Sequence, residues 1–196
     1  MATVWAAEYG DTVDDDPDHL AVGGESAGGN LAAAVSLLAR DRGESFVDYQ
    51  MLLYPVLDRR FDRSSYEAVG EEYNLTTATM QWYWDHYLDS DLDAANPYAA
   101  PLQARDLRGL PPATVLTCGY DPLCDEGDVY AKRLGGAGVD VRHTHCPDQI
   151  HAFLSFPEHV DRAVEMREEV ADHLRTALGI RTVSADSRDA TAASDE

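Results

Sequence analysis

Apolar residues fall along this chain in short unbroken runs separated by segments of helical spacing. Gln50–Leu57 is one such run, reaching Pro55, and Ala113–Cys118 is another, announced by Pro111-Pro112. Runs of this kind suit strands buried on both faces of a parallel sheet. A shorter run, His19–Gly23, gives way at once to small residues, after which Leu31–Arg40 carries one apolar face. Val139, Val141, His143 and His145 alternate with polar partners, as in an edge strand with one wet face. Ala2–Tyr9 predicts the last turns of a helix ended near Gly10, and Asp125–Leu134 predicts a helix stopped by Gly135-Gly136. Pro157–Leu178, apolar at Val160, Val164, Val170, Leu174 and Leu178, predicts an amphipathic helix closed by Gly179. Strands alternating with helices imply βαβ units, hence an α/β fold with a mainly parallel sheet and flanking helices.

Residues 64–110 interrupt that rhythm. They hold an aromatic helix (Met80, Trp82, Tyr83, Trp84, Tyr87, Leu88) followed by Asn96-Pro97-Tyr98, expected to form a helical insertion across the carboxyl ends of the strands. No repeat and no domain-sized linker divides the chain. One domain over 1–180 is expected, with 181–196, small and polar, as a disordered tail.

Composition narrows the class. The 196 residues are 44% hydrophobic, enough for a sizeable core, yet carry 36 acidic against 15 basic residues, a net charge of −21. Lys132 is the single lysine. The acids are spread along the chain, which points to a solvated surface rather than a basic partner. Such a surface repels itself until salt screens it, so we expect a protein adapted to a salt-rich cytoplasm. Nucleic acid and anionic membranes are excluded as partners. Cys118, Cys124 and Cys146 form no C-x-x-C pair and read as free thiols. Four early aspartates (Asp11, Asp14, Asp15, Asp16) precede any apolar segment, so no signal peptide opens the sequence, and no run reaches the ~20 apolar residues of a membrane helix. A cytoplasmic location is expected.

The chemistry concentrates at Gly24-Glu25-Ser26-Ala27-Gly28-Gly29-Asn30. G-x-S-x-G between a strand and a helix holds a serine in a strained turn, its hydroxyl projecting from the top of the sheet. Gly24 and Gly28 are expected to remove side chains that would collide with the neighbouring strand and helix. The helix that follows presents the Ala27 N–H to a developing oxyanion. Serine is a weak nucleophile and needs a base oriented by a carboxylate. In this fold class the order is Ser, acid, His. Asp121 follows the run Ala113–Cys118, and His151 follows the strand of His143 and His145, so both share the rim of Ser26.

His19, His86, His159 and His173 read as solvated. His143, His145, Cys146, Asp148 and His151 resemble a metal set, but strand alternation puts Cys146 on the face opposite His143 and His145, so no metal site is assigned. Asp125 rivals Asp121 as the acid, although helix capping explains it more simply. Cys124 lacks an elbow. Trp82, Tyr83, Trp84 and Tyr87 are either plain core or the walls of a substrate pocket.

These residues resemble the hormone-sensitive-lipase-like branch of α/β-hydrolase esterases. The resemblance rests on Glu25-Ser26-Ala27-Gly28-Gly29-Asn30, Tyr120-Asp121-Pro122-Leu123 with Asp125-Glu126-Gly127, and Ile150-His151-Ala152-Phe153. Tyr54-Pro55-Val56-Leu57-Asp58, Trp84-Asp85-His86-Tyr87 and Asn96-Pro97-Tyr98 extend it over about residues 3–178. It implies an esterase or lipase acting on small acyl esters through an acyl-enzyme without a cofactor, with Asp121 as the acid. The sequence departs from the family at Cys124 (usually arginine), Ala152 (usually glycine) and Ala100 (commonly serine). The family also carries a His-Gly-Gly-Gly oxyanion loop and about four strands upstream of the elbow, and only 25 residues precede Ser26. An N-terminally truncated protein, weak turnover and an exposed elbow strand are therefore expected. That edge would pair in a homo-oligomer or with the missing front half. The alternative is a non-catalytic remnant or ligand-binding module on the same fold.

Overall fold

The computed structural model describes residues 2–13 and 19–180. In chain order the main elements are α1 (Ala2–Tyr9), β1 (Ala21–Glu25), α2 (Ala27–Asp41), β2 (Tyr49–Leu53), α3 (Ser64–Val69), α4 (Thr77–Tyr87), β3 (Ala113–Tyr120), α5 (Cys124–Gly136), β4 (Val141–Ile150) and α6 (Asp161–Ala177). The four strands form one sheet in the order β1-β2-β3-β4, every neighbouring pair parallel. β1, the strand before the elbow, lies at one edge, as expected.

Side-chain alternation along β3 sets the layers. Ala113 and Val115 point into a core built with Ala33 and Leu37 of α2 and Tyr130 and Leu134 of α5. Leu116 and Cys118 point the other way, onto Ala163, Met166 and Val170 of α6. Both faces of the central strands are thus dry, which is why their sequence shows runs instead of alternation. A third cluster joins the insertion to the rim through Val56, Tyr66, Leu75, Met80, Trp84, Ala100 and Leu123. α1 buries none of its residues. Among the described residues no helix is long and apolar enough to cross a membrane.

Several boundaries shift from expectation. The first strand runs over Ala21–Glu25 rather than His19–Gly23, because small residues, glycine included, can hold a ladder when β2 supplies the partners. β2 ends at Leu53, four residues short of the apolar run, because Tyr54 turns to a positive φ. The last helix starts at Asp161, not Pro157. The expected tail beyond residue 180 lies outside the described residues.

One irregularity positions the site. Between Cys118↔Cys146 and Tyr120↔Ile150 the β3–β4 register slips, leaving extra residues on β4. Such a bulge bends a strand and re-aims its end. A side chain at Gly119 would meet the Pro147 carbonyl oxygen at 2.0 Å, so the bulge requires glycine there. Past it, Tyr120 and Ile150 pair again, and the next residue on each strand is Asp121 and His151.

Candidate active site

Each of the three residues expected to act together follows a strand end. Glu25 pairs with Leu53, so Ser26 emerges beside Tyr54. Ser26 takes φ 55 and ψ −117, a conformation that a residue with a Cβ adopts only under constraint. The constraint is backbone bonding on both sides: Ser26 N–H donates to the Leu53 carbonyl at 2.9 Å, and the Ser26 carbonyl accepts from Val56 at 3.2 Å and Asn30 at 3.1 Å.

The imidazole of His151 joins the group. Its Nε2 lies 3.0 Å from Ser26 Oγ and its Nδ1 2.7 Å from Asp121 Oδ2. A carboxylate only accepts, so Nδ1 carries the proton and Nε2 is left to accept from the serine hydroxyl. The second Asp121 oxygen accepts from Leu123 N–H at 2.9 Å, a turn contact that holds the carboxylate still. Asp121 and His151 are both buried, and the His151 carbonyl is tied to the Asn74 amide at 2.8 Å.

The glycines divide differently from expectation. A Cβ on Gly24 would sit 2.5 Å from the Gly28 carbonyl carbon, and one on Gly29 would sit 2.8 Å from Pro55 Cβ. At Gly28 a Cβ meets nothing within 4 Å. The close approach is therefore made by Gly24 and Gly29. Gly28 is the backbone that Gly24 crosses, so its own side-chain direction is open.

Beside Ser26 lies a cavity of about 620 Å³, mostly apolar, with Ala27, Leu31, Val56, Met80, Tyr83, Trp84 and Tyr87 among its walls. Of the four aromatic candidates three line it; Trp82 does not, and stacks against His86 on the outer face of α4. Trp84 serves both readings, being core and wall at once. Ala27 opens α2, where the first N–H groups have no partner within the helix. Asn30, within the elbow motif, has a structural role that the motif does not announce. Its amide donates to the carbonyls of Val56 at 2.9 Å and Ala99 at 2.8 Å, tying the loop after β2 to the insertion. The available signal was a polar residue on the buried face of a helix, which must find partners.

The rivals find other employment. The Asp125 carboxylate accepts from Ser64 Oγ at 2.6 Å and Ser65 N–H at 2.9 Å, so it caps α3 across space rather than its own helix. Cys146 packs in the core, on the face away from His143 and His145, which share the Thr117 hydroxyl at 3.0 Å each. Burial, then Asp121 and Asp125, push the Cys124 thiol up to about 11, so it stays protonated and is a poor nucleophile near neutrality. His173 is not simply solvated: its Nδ1 lies 3.2 Å from Thr114 Oγ1. Glu126 was missed. It is wholly buried, neither carboxyl oxygen makes a well-formed hydrogen bond, and desolvation, followed by the nearby Asp58 charge, outweighs the Arg63 charge and the Leu57 backbone N–H and raises its pKa well above the ordinary range.

Fold and rim together define an α/β hydrolase with a serine at the elbow. A family model described as the alpha/beta hydrolase fold matches residues 1–155, and the chain belongs to that family. It is 42% identical over 160 residues to the carboxylic ester hydrolase LipN of Mycobacterium tuberculosis, covering 79% of this chain and 43% of that protein. It is 37% identical over 157 residues to an arylesterase of Saccharolobus solfataricus, covering 80% and 51%. Among solved structures, a thermostable esterase from Pseudomonas putida superposes with a TM-score of 0.87 at 38% identity, covering 90% of this chain and 57% of the other. The chain spans about half the length of the curated relatives it matches.

Proposed function

We propose that the chain carries the nucleophilic half of a carboxylic ester hydrolase working through Ser26, His151 and Asp121. The observation that carries this reading is the unbroken relay from Ser26 Oγ through the imidazole to the buried Asp121 carboxylate, at 3.0 and 2.7 Å. The names of the relatives support the same activity. As Ser26 Oγ attacks the ester carbonyl carbon, His151 Nε2 takes its proton, and Asp121 stabilises the imidazolium. The tetrahedral oxyanion develops against the Ala27 N–H at the head of α2. His151 then protonates the departing alkoxide, and water repeats the sequence on the acyl-serine. The apolar cavity suits a small uncharged acyl ester, with Tyr83, Trp84 and Tyr87 against its hydrocarbon part. No cofactor enters this scheme.

Ala27 is the one oxyanion donor we assign, and removal of a second donor typically costs about 10²–10³ in kcat. With Ala27 as donor, acylation and deacylation each pass through an oxyanion at the same N–H, so a change at that donor is expected to move both steps together. The open edge of β1 is where a second copy, or a segment supplying further strands, would pair. The acidic surface favours assay in about 3 M KCl, where screening is nearly complete.

A fluorophosphonate probe tests the reading. Labelling of the wild type that disappears in Ser26→Ala supports it. Folded wild-type protein that takes up no label at high salt would favour a ligand-binding module instead, the reading to which the single assigned oxyanion donor lends weight.

A further inference from the structure

Two hydrogen bonds at opposite ends of the His151 ring define a line, not a plane. The imidazole can rock about the line from Nδ1 to Nε2 and keep both contacts, tilting its Nε2 lone pair by up to about 35° and weakening its aim at the serine proton. Something else must set the plane. Tyr54 is the side chain in that position: its ring centroid is 4.9 Å from that of His151, at an interplanar angle of 65°, and Phe153 backs it at 6.4 Å.

Tyr54 is held in place unusually firmly. It sits one residue past β2 at φ 38, a left-handed conformation that is an outlier for a bulky residue. Its N–H nevertheless donates to the Leu116 carbonyl at 2.7 Å, so the strain does not detach it from the sheet. It is fully buried, and its hydroxyl donates to Glu25 Oε2 at 2.5 Å. Burial and the Glu25 carboxylate both push the phenol above its ordinary range, so it remains a donor at any pH where the protein works. Glu25 immediately precedes Ser26 and pairs in the ladder with Leu53, which immediately precedes Tyr54. Ser26, Glu25, Tyr54 and His151 therefore close a ring of contacts, in which the nucleophile and its base are tied together a second time through Glu25, an exposed residue that also lines the cavity.

We propose that Tyr54, anchored by Glu25, is a positioning residue that fixes the plane of the His151 imidazole against Ser26. The role rests on the esterase reading above, and the experiment separates the two.

Fluorophosphonate labelling of the full chain is followed against probe concentration, giving a maximal rate and a half-saturating concentration. Tyr54→Phe keeps the ring and loses the anchor. It is expected to lower the maximal rate about tenfold, the scale of small misplacements near reacting groups, with half-saturation unchanged within about twofold. Glu25→Ala should match it, and Glu25→Gln, which keeps an acceptor oxygen, should recover most of the rate. Because the two act as one unit, the double variant Tyr54→Phe/Glu25→Ala should label no more slowly than either single variant. Wild-type rates in Tyr54→Phe, or losses that multiply in the double variant, overturn the proposal. If wild type itself takes no label, the esterase reading fails, and carbethoxylation of His151 followed by mass spectrometry still judges the positioning: faster modification in folded Tyr54→Phe supports it, an unchanged rate overturns it.

Discussion

The two ends of the sheet turn the chain by different means. At the carboxyl end, Ser26, Tyr54 and Ala152 take positive φ although each carries a side chain. At the amino end the turns into β2, β3 and β4, and the turn out of α6, use Gly43, Gly109, Gly138 and Gly179 at φ values of 66 to 84. The amino-end cavity, about 260 Å³, is bordered by Asp48, Asp140, Arg142 and His173. A turn that only reverses the chain can use glycine, which reaches positive φ without steric cost. At Ser26 and Tyr54 a turn that must aim a hydroxyl or an aromatic ring has to keep the side chain, and accepts strain of about 1–3 kcal/mol per residue to do so, whereas the Ala152 methyl aims nothing and its strain is dispensable. Strain therefore marks the rim where the proposed chemistry happens.

The largest effect that would sharpen this contrast is Asp121→Asn. An amide in place of the carboxylate favours the wrong imidazole tautomer, and fluorophosphonate labelling is expected to slow by about 10⁴ while far-UV circular dichroism stays native. Next comes Gly24→Ala, whose methyl group has only Gly28 backbone to meet. Denaturant titration should show a loss of about 2–3 kcal/mol, the scale of overpacking in a rigid site, or no folded protein at all.

Glu126 gives a pH-dependent test beneath the same rim. Its folded-state pKa is raised, so between the ordinary glutamate value of 4.5 and that raised value the native state holds a proton that the unfolded chain has released. Stability is then present at low pH and falls as pH rises through this window. Glu126→Gln removes that term. The variant should lose less stability than wild type as the pH is raised above 4.5 in paired urea titrations; identical slopes would show that the carboxyl group is solvated.

Smaller effects bear on the turns themselves. Ala152→Gly, at φ 61, relieves a left-handed alanine and should stabilise by up to about 1 kcal/mol, whereas Gly138→Ala at φ 84 should cost about the same. Labelling should be unchanged in Gly138→Ala, since that turn lies at the far end of the sheet. Gly28→Ala, with open space for its methyl group, should stay within about 0.5 kcal/mol of wild type. A large loss there would restore the two-glycine collision that the motif alone suggested.

Much of the site was legible before the fold. The elbow, the acid and the histidine are each written in a few consecutive residues, because a tight turn or a strand end restricts local residue types strongly. Periodicity likewise revealed the parallel sheet and its helices, since a face that must be dry is apolar at fixed spacing. The extent of β2 does not follow the apolar run for the same reason: Tyr54–Leu57 is as apolar as a strand, yet it leaves the ladder and its side chains divide among three clusters, Tyr54 with Phe153, Val56 with Met80 and Trp84 of α4, and Leu57 with Leu37 of α2.

The amino-acid order by itself thus determined the class of fold and nominated Ser26, Asp121 and His151 as the candidate nucleophile and its two helpers. Only the folded chain decided which glycines are pressed against backbone, that Asp125 caps a distant helix, that Glu126 is wholly buried, and that Tyr54 packs on the imidazole while bonding Glu25. Apart from Gly24 against Gly28, these features arise between segments tens of residues apart. Their chemistry depends on distance and exclusion of water, and neither quantity has a signature in local spacing.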